Sequence, residues 1–211
     1  MYIPKLVVKK IDINFNVNFI CDLLDTDFLA KNKSLPFAQR VFGLFPELKK
    51  QITENTTKDE IYIVVDKVVR NNIIINDSEI EKRITQLQYA FDQFYEPLME
   101  KMLELFELEW DIEQKEITCF LGCCPVFPRH VLTKEFYVNY STVDERILKA
   151  GIHEINHFVL FEKWKSMHGY TSNTEPECPE TLWLLEEIAV DPTLNETCLQ
   201  MIAPYPQKAY S

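Results

Sequence analysis

The sequence predicts an α+β protein, because strand and helix patterns occupy separate stretches of the chain. Apolar and polar residues alternate in parts of residues 3–20, which predicts a half-buried strand that begins a sheet. A long helical pattern follows, and two further strand patterns lie at residues 116–122 and 134–140. We therefore expect a mostly helical N-terminal region over residues 1–112 and a second domain over residues 113–211.

Composition restricts the classes of partner. The chain has 211 residues, 46% of them apolar, which is enough for a substantial core. Its 33 acidic and 22 basic residues give a net charge of −11, which argues against nucleic acid or an anionic membrane as a partner. Four glycines occur, and they form neither a dinucleotide-binding nor a phosphate-binding pattern.

Location is predicted from what the sequence lacks. We find no secretory signal pattern and no run of about 18 apolar residues, so we expect a cytoplasmic protein without a membrane partner. The six cysteines lack the paired short spacings of a zinc ribbon, and we interpret them as reduced thiols.

The central helical pattern has a predicted start and a predicted break. Ser78 and Glu81 have the spacing of a capping box, which predicts a helix start. The apolar stripe continues to Leu105, but Pro97 removes a backbone donor and crowds the preceding turn. We therefore expect a break near Tyr95.

The C-terminal part reads as an edge segment followed by two helices. Residues 123–128 contain two prolines, which places them at a sheet edge or in a loop. A second capping box, Thr142 with Glu145, predicts a helix over residues 143–168 that Gly169 ends in the left-handed conformation. The next helix is expected to begin with Pro179 at its first position and to end at Pro192.

The motif that indicates chemistry lies in the first of these two helices. His153-Glu154-Ile155-Asn156-His157 reads HExxH, for which this composition gives about 0.008 matches by chance. Histidines four residues apart project from one side of a helix and can bind one metal ion. Glu154 can reach a water on that metal without being a ligand.

A catalytic zinc site usually has three protein ligands and a water, so a third ligand is required. Glu186 and Glu187 lie on the next predicted helix among apolar residues, and the choice between them stays open. Asp191, four residues after Glu187, shares its face of the helix and could orient a histidine. The other downstream candidates are His168, Glu175, Glu177 and Glu180.

HExxH followed by a helix that carries Glu, with Asp four residues on, resembles the gluzincin branch of zinc metallopeptidases, with the small size of its minimal domains. The resemblance covers about residues 116–192. It implies a zincin-like fold: a small twisted sheet with an active-site helix and a ligand helix, preceded here by the helical N-terminal part. His153, His157 and Glu187 would bind Zn²⁺, Glu154 would be the general base, and Asp191 would support a histidine.

Two departures qualify the resemblance. Leu184, Leu185 and Glu186 replace the glycine and asparagine that usually precede the glutamate ligand. Asp191 also stands directly before Pro192, which is expected to end the helix. The related metzincin pattern is excluded, because Leu160 and Trp164 stand where its glycine and third histidine belong.

The function implied is hydrolysis of a peptide or protein by metal-activated water. His168 and Tyr170 are candidate donors to the oxyanion, and residues 123–128 are the candidate edge along which an extended substrate would pair. The alternative is a binding or regulatory domain in which zinc joins two helices without catalysis. A third interpretation is a metal-free interaction protein. Two imidazoles and a carboxylate also accept other divalent metals, and the sequence does not predict an oligomeric state.

Overall fold

The computed structural model describes residues 1–24, 37–53, 55–169 and 180–208. Within these stretches the chain forms nine helices and one four-stranded sheet, which confirms the α+β class. The strands are β1 (Lys5–Lys10), β2 (Glu116–Gly122), β3 (Arg129–His130) and β4 (Glu135–Asn139). The helices are α1 (Ile13–Leu24), α2 (Phe37–Leu44), α3 (Pro46–Lys49), α4 (Lys58–Ile75), α5 (Asp77–Asp92), α6 (Tyr95–Leu105), α7 (Asp144–His168), α8 (Thr181–Leu194) and α9 (Thr197–Gln200).

The sheet joins a strand from the N-terminal end of the chain to three strands between residues 116 and 139. Its strand order is β1-β2-β4-β3, with β1, β2 and β4 parallel and β3 antiparallel at one edge. The strand predictions for β2 and β4 are confirmed. Because β1 pairs with β2, the predicted boundary between residues 112 and 113 falls between two neighbouring strands of one sheet.

The antiparallel edge begins after the proline-containing segment. Residues 123–128 were predicted at a sheet edge or in a loop, and the structure places residues 124–128 in the loop between β2 and β3, which fits the missing N–H of its prolines. Cys123 makes an isolated antiparallel bridge with Asn139. The ladder resumes where Pro128 O accepts from Tyr137 N at 3.0 Å, and β3 follows directly. The turn from β3 into β4 is held to α7 by Lys134, whose buried amine lies 2.6 Å from the Glu162 carboxylate.

The first strand is shorter than predicted. β1 ends at Lys10, and the alternating residues beyond it belong to helix α1, so the strand prediction over residues 3–20 is wrong there. Asp12 favours the helix over a longer strand, because its carboxylate accepts from the Phe15 N–H at 2.9 Å at the start of α1. The buried residues of α1 recur at helical spacing: Asn16, Val17, Ile20, Leu23 and Leu24.

The capping box predicted at Ser78 and Glu81 does not form. Helix α5 begins at Asp77 after Asn76, so Ser78 already lies inside the helix. Glu81 is instead 3.6 Å from the Lys10 amine at the end of β1. The Glu81 carboxylate therefore pairs with the neighbouring strand and does not cap the helix.

The box predicted at Thr142 and Glu145 is also wrong. Helix α7 has Val143 as its N-cap residue, and no side chain caps it. Arg83 on α5 binds this end of the helix instead: its guanidinium donates to Thr142 O at 2.6 Å and lies 2.7 Å from the Asp144 carboxylate. A contact between elements thus replaces the local cap.

Two predicted helix ends are confirmed. Helix α5 ends at Asp92 and α6 begins at Tyr95, with Pro97 in the first turn of α6, where proline is tolerated. Helix α7 ends at His168, and Gly169 follows in the left-handed conformation with φ of 60°.

The last long helix continues past its predicted end. We expected α8 to stop at Pro192, but it includes this proline and runs to Leu194. A proline removes one backbone donor from the helix. Backbone hydrogen bonding continues after it, because Asn195 N donates to Asp191 O at 3.2 Å. The predicted start at Pro179 lies outside the described residues.

Helix α7 contacts β4 and the helices α5, α6 and α8, and a glycine permits the closest of these approaches. A Cβ atom on Gly151 would lie 2.6 Å from Phe91 Cζ and 3.3 Å from Phe136 Cζ. Both phenylalanines are fully buried, and neither distance leaves room for an added methyl group without a shift of the ring. Gly151 therefore sets how closely α7 packs on α5 and the sheet, two residues before His153.

We predict that Gly151→Ala destabilises the protein although alanine favours helices. Overpacking against Phe91 should lower the free energy of unfolding by about 1–3 kcal/mol, measured by urea denaturation. The control is Gly43→Ala in α2, where a Cβ would meet no atom within 4 Å. That variant should gain up to about 1 kcal/mol. Equal stabilities of the two variants would contradict the packing assigned to Gly151.

Candidate metal centre

The three residues predicted as metal ligands lie together between α7 and α8. His153 Nε2 is 3.5 Å from Glu187 Oε2, and His157 Nε2 is 3.5 Å from Glu187 Oε1. One ligand atom of each residue lies within 4.8 Å of the other two. Donors bound at about 2.0–2.1 Å to a tetrahedral ion are about 3.4 Å apart, so this spacing suits one small metal ion.

Several polar atoms of this cluster are buried without a hydrogen-bond partner. They include both ring nitrogens of His157 and Oε2 of Glu187. Buried polar atoms are nearly always paired, because an unpaired one costs about 1–3 kcal/mol. A metal ion would satisfy one nitrogen of His157 and the free oxygen of Glu187, so the donor set fits a metal.

His157 is in the protonation state that a ligand needs. Burial lowers the pKa of its imidazole well below the usual value, and the positive charge of Arg129 lowers it further. The ring is therefore neutral near pH 7, and a neutral imidazole is the form that binds a metal.

The described cysteines are not part of this cluster of ligand atoms. The five described cysteines form no disulfide, which confirms the reduced state for them, and Cys178 lies outside the described residues. Burial raises the pKa of Cys123 to about 12 and also raises the pKa of Cys119 and Cys124. These thiols stay protonated at neutral pH, whereas a metal binds the thiolate.

Glu154 lies beside the ligands in a dry environment. Its side chain is 7% exposed, and Oε2 lies 3.8 Å from Arg129 Nη1. Burial is the main cause that raises the pKa of its carboxyl group, and the charge of Glu187 adds to this, while His153 and Arg129 act in the opposite direction. A carboxylate with a raised pKa is a better acceptor for a proton from water.

Sequence reasoning missed Arg129. It lies on the edge strand β3, and its guanidinium contacts carboxylates from both helices: Glu186 at 3.0 Å, Glu187 at 3.3 Å and Glu154 at 3.8 Å. No spacing rule relates an arginine on an edge strand to a motif on a helix 24 residues later. The sequence offered one indication of a role for Arg129: it directly follows residues 123–128, the predicted edge segment.

The two adjacent glutamates of α8 point to different partners. Glu187 faces the histidines, whereas Glu186 is fully buried and accepts a hydrogen bond from Arg129 Nη2 at 3.0 Å. Successive residues on a helix are about 100° apart, so both cannot face the same metal. Of the two alternatives left open by the sequence, the geometry favours Glu187.

Asp191 does not hold His157. Neither ring nitrogen of His157 has a hydrogen-bond partner, and the Asp191 carboxylate accepts instead from Asn195 Nδ2 at 2.6 Å. Asp191 therefore does not support His157, and its support of a histidine stays a prediction for His153. The cause is local, because Asn195 lies one turn after Asp191 on the same helix and satisfies its carboxylate.

Of the two proposed oxyanion donors, His168 lies away from the centre. His168 is exposed at the C-terminal end of α7, and its ring is tilted by 40° against that of Trp164, with ring centroids 4.2 Å apart. It lies eleven residues beyond His157, about 16 Å along the helix axis. His168 is therefore too far away to contact a group bound at His157. Tyr170 lies outside the described residues.

No protein-family model, curated protein or solved structure matches the chain. The assignment of the centre thus depends on this chain's own residues. In the part of the chain that the structure describes, no helix has the length and apolar character needed to span a membrane.

We predict that Glu154→Gln stabilises the metal-free protein at neutral pH. Because the carboxyl pKa is raised in the folded state, folding favours the protonated form, and stability falls as pH rises above about 4.5. Glutamine removes this penalty. In chelator at pH 7.5 its melting temperature should exceed the wild type by about 2–4 °C for each kcal/mol gained.

The difference should shrink as the pH falls toward 4.5, because a carboxyl group with a raised pKa becomes progressively protonated over this range. Glu145→Gln, an exposed change at the start of α7, is the control and should not change the melting temperature. A Glu154→Gln protein that melts at or below the wild-type temperature at pH 7.5 would contradict the assigned pKa direction.

Proposed function

We propose that the chain is a zincin-like, metal-dependent hydrolase of peptide bonds. The observation that carries the proposal is the buried His153, His157 and Glu187 donor set, with Glu154 beside it. The order of these residues along the chain, HExxH on one helix and the third ligand on the next, supports the gluzincin resemblance. The edge strand β3, antiparallel and next to α7, supports a substrate-binding edge.

Charge supports a divalent ion in particular. Three buried carboxylates, those of Glu154, Glu186 and Glu187, lie within 4 Å of a single guanidinium. These four groups carry a net charge of −2 when ionised, and a divalent cation brings them to neutrality. Burying uncompensated charge is costly, so the site favours such a cation.

The number and type of ligands favour catalytic zinc. Two imidazoles and one carboxylate form a common ligand set of catalytic zinc sites, whose fourth position holds water. A structural site is usually closed by four protein ligands. In residues 1–24, 37–53, 55–169 and 180–208, the cluster of ligand atoms contains three residues and no cysteine. This favours the enzyme over the domain in which zinc only joins helices.

The proposed reaction assigns proton transfer to Glu154. A bound metal would lower the pKa of water and polarise the substrate carbonyl. Glu154 takes the proton as the water oxygen attacks the carbonyl carbon. It then gives the proton to the amine nitrogen as the C–N bond breaks. Its dry surroundings raise the carboxyl pKa and so suit both transfers.

An extended peptide or protein would bind along β3. The inner side of this strand pairs with β4, and its outer side is an edge of the sheet. Main-chain hydrogen bonds to such an edge orient a peptide without requiring a particular sequence. Arg129 on β3 then places its guanidinium between the bound peptide and the carboxylates of α7 and α8.

We predict that the purified protein binds about one zinc ion per chain, measured by elemental analysis without an affinity tag. His157→Ala and Glu187→Ala should each lower this content by at least about tenfold, because each removes one of three ligands. His168→Ala, on the same helix but exposed at its end, is the control and should retain the metal. Zinc content that is unaffected by His157→Ala and Glu187→Ala would contradict the site.

We also predict that the zinc-loaded protein cleaves members of a mixed peptide library and that Glu154→Gln lowers cleavage by at least about 100-fold. The variant should keep its zinc, because Glu154 is not a ligand. Glu145→Gln, exposed on α7, should cleave as the wild type does. Wild-type cleavage by zinc-loaded Glu154→Gln would exclude Glu154 as the base.

A further inference from the structure

Arg129 is fixed by two hydrogen bonds that leave part of its guanidinium available. Nη2 donates to the buried Glu186 carboxylate at 3.0 Å, and Nη1 donates to Glu187 at 3.3 Å. A guanidinium has five N–H groups in a rigid plane, so these bonds fix its orientation and use two of the five.

The available part lies beside the proposed base. Nη1 is 3.8 Å from Glu154 Oε2, which is close for two charges but longer than a hydrogen bond. The same Nη1 contacts Glu187, whose carboxylate oxygens lie 3.5 Å from His153 Nε2 and His157 Nε2. Arg129 thus lies between the proposed base and a proposed metal ligand, where the proposed reaction would bring the substrate carbonyl.

The strand that carries Arg129 is held in place by a second contact. The turn after β3 contains Lys134, which is fully buried and 2.6 Å from Glu162 on α7. This contact fixes the hairpin relative to the helix of the HExxH motif. A donor held rigidly before the reaction needs no reorganisation when charge develops.

We propose that Arg129 donates a hydrogen bond to the substrate oxygen that becomes negatively charged during hydrolysis. The inference rests on the proposed function. It gives Arg129 the role of oxyanion donor, for which His168 lies too far away. When the water oxygen bonds to the carbonyl carbon, the C=O electron pair moves onto the carbonyl oxygen, and a water proton goes to Glu154. When the C–N bond breaks, the pair returns and the proton goes to the amine.

The test measures binding of inorganic phosphate, a tetrahedral oxyanion, to the protein loaded with Co²⁺, followed by the visible absorption of the metal. Arg129→Met alone removes the positive charge beside the buried Glu186 carboxylate and is expected to destabilise the protein. The main variant is therefore Arg129→Met combined with Glu186→Gln, which removes one positive and one negative charge. Metal content and melting temperature are measured for each protein.

The wild type should bind phosphate, and the double variant should bind it roughly 10- to 100-fold more weakly while keeping one metal per chain. Arg129→Lys keeps the charge but not the planar donor, and its affinity should fall between the two. Glu186→Gln alone should bind phosphate at least as tightly as the wild type, because a negative charge is removed.

The control is Arg83→Met. Arg83 also pairs with a carboxylate and is similarly buried, but it binds the N-terminal end of α7. This variant should bind phosphate as the wild type does. A purely structural arginine at position 129 would change stability without changing phosphate affinity.

Two results would overturn the inference and leave the proposed function intact. One is equal phosphate affinity in the wild type and in the metal-loaded double variant. The other is a wild-type metal centre that does not bind phosphate. A wild-type protein that takes up no metal would overturn the proposed function as well, so the two failures are distinguishable.

Discussion

Three glutamate carboxylates buried around one arginine are the constraint on which the centre depends. Removing charges from water is costly, and a single guanidinium balances one of the three. Protonation of one carboxyl group relieves part of the imbalance, and burial raises the pKa of Glu154 accordingly. A divalent cation relieves all of it and also satisfies the unpaired atoms of His157 and Glu187. The proposed metal site, base and oxyanion donor all follow from this one arrangement.

The rest of the fold holds the two helices and the edge strand in position. Gly151 lets α7 approach Phe91 and Phe136, which places the HExxH residues against the sheet. Lys134 ties the β3–β4 hairpin to α7, and β1 completes the sheet from the N-terminal end of the chain. The N-terminal region therefore shares a sheet with the part of the chain that carries the HExxH motif.

Features with a short sequence period were predictable, whereas contacts between distant elements were not. The spacing of His153 and His157 and the glycine after His168 depend on one helix, and both were found from the sequence. Residues 11–19 fit strand and helix periods equally, and the contact of the Asp12 side chain decided between them. Arg129 reaches the centre through the register of a hairpin, which no local pattern encodes. The choice between Glu186 and Glu187 likewise depends on how α8 is rotated against α7.

The most direct test of the central claim is X-ray absorption spectroscopy at the zinc edge of the zinc-loaded protein. The account predicts two imidazoles in the first shell, with all nitrogen and oxygen ligands at about 2.0–2.1 Å and no sulfur. His157→Ala should remove one imidazole from the shell or abolish binding. Scattering by sulfur at about 2.3 Å, or a shell without imidazole, would mean that the metal binds elsewhere and would contradict the assignment of His153, His157 and Glu187.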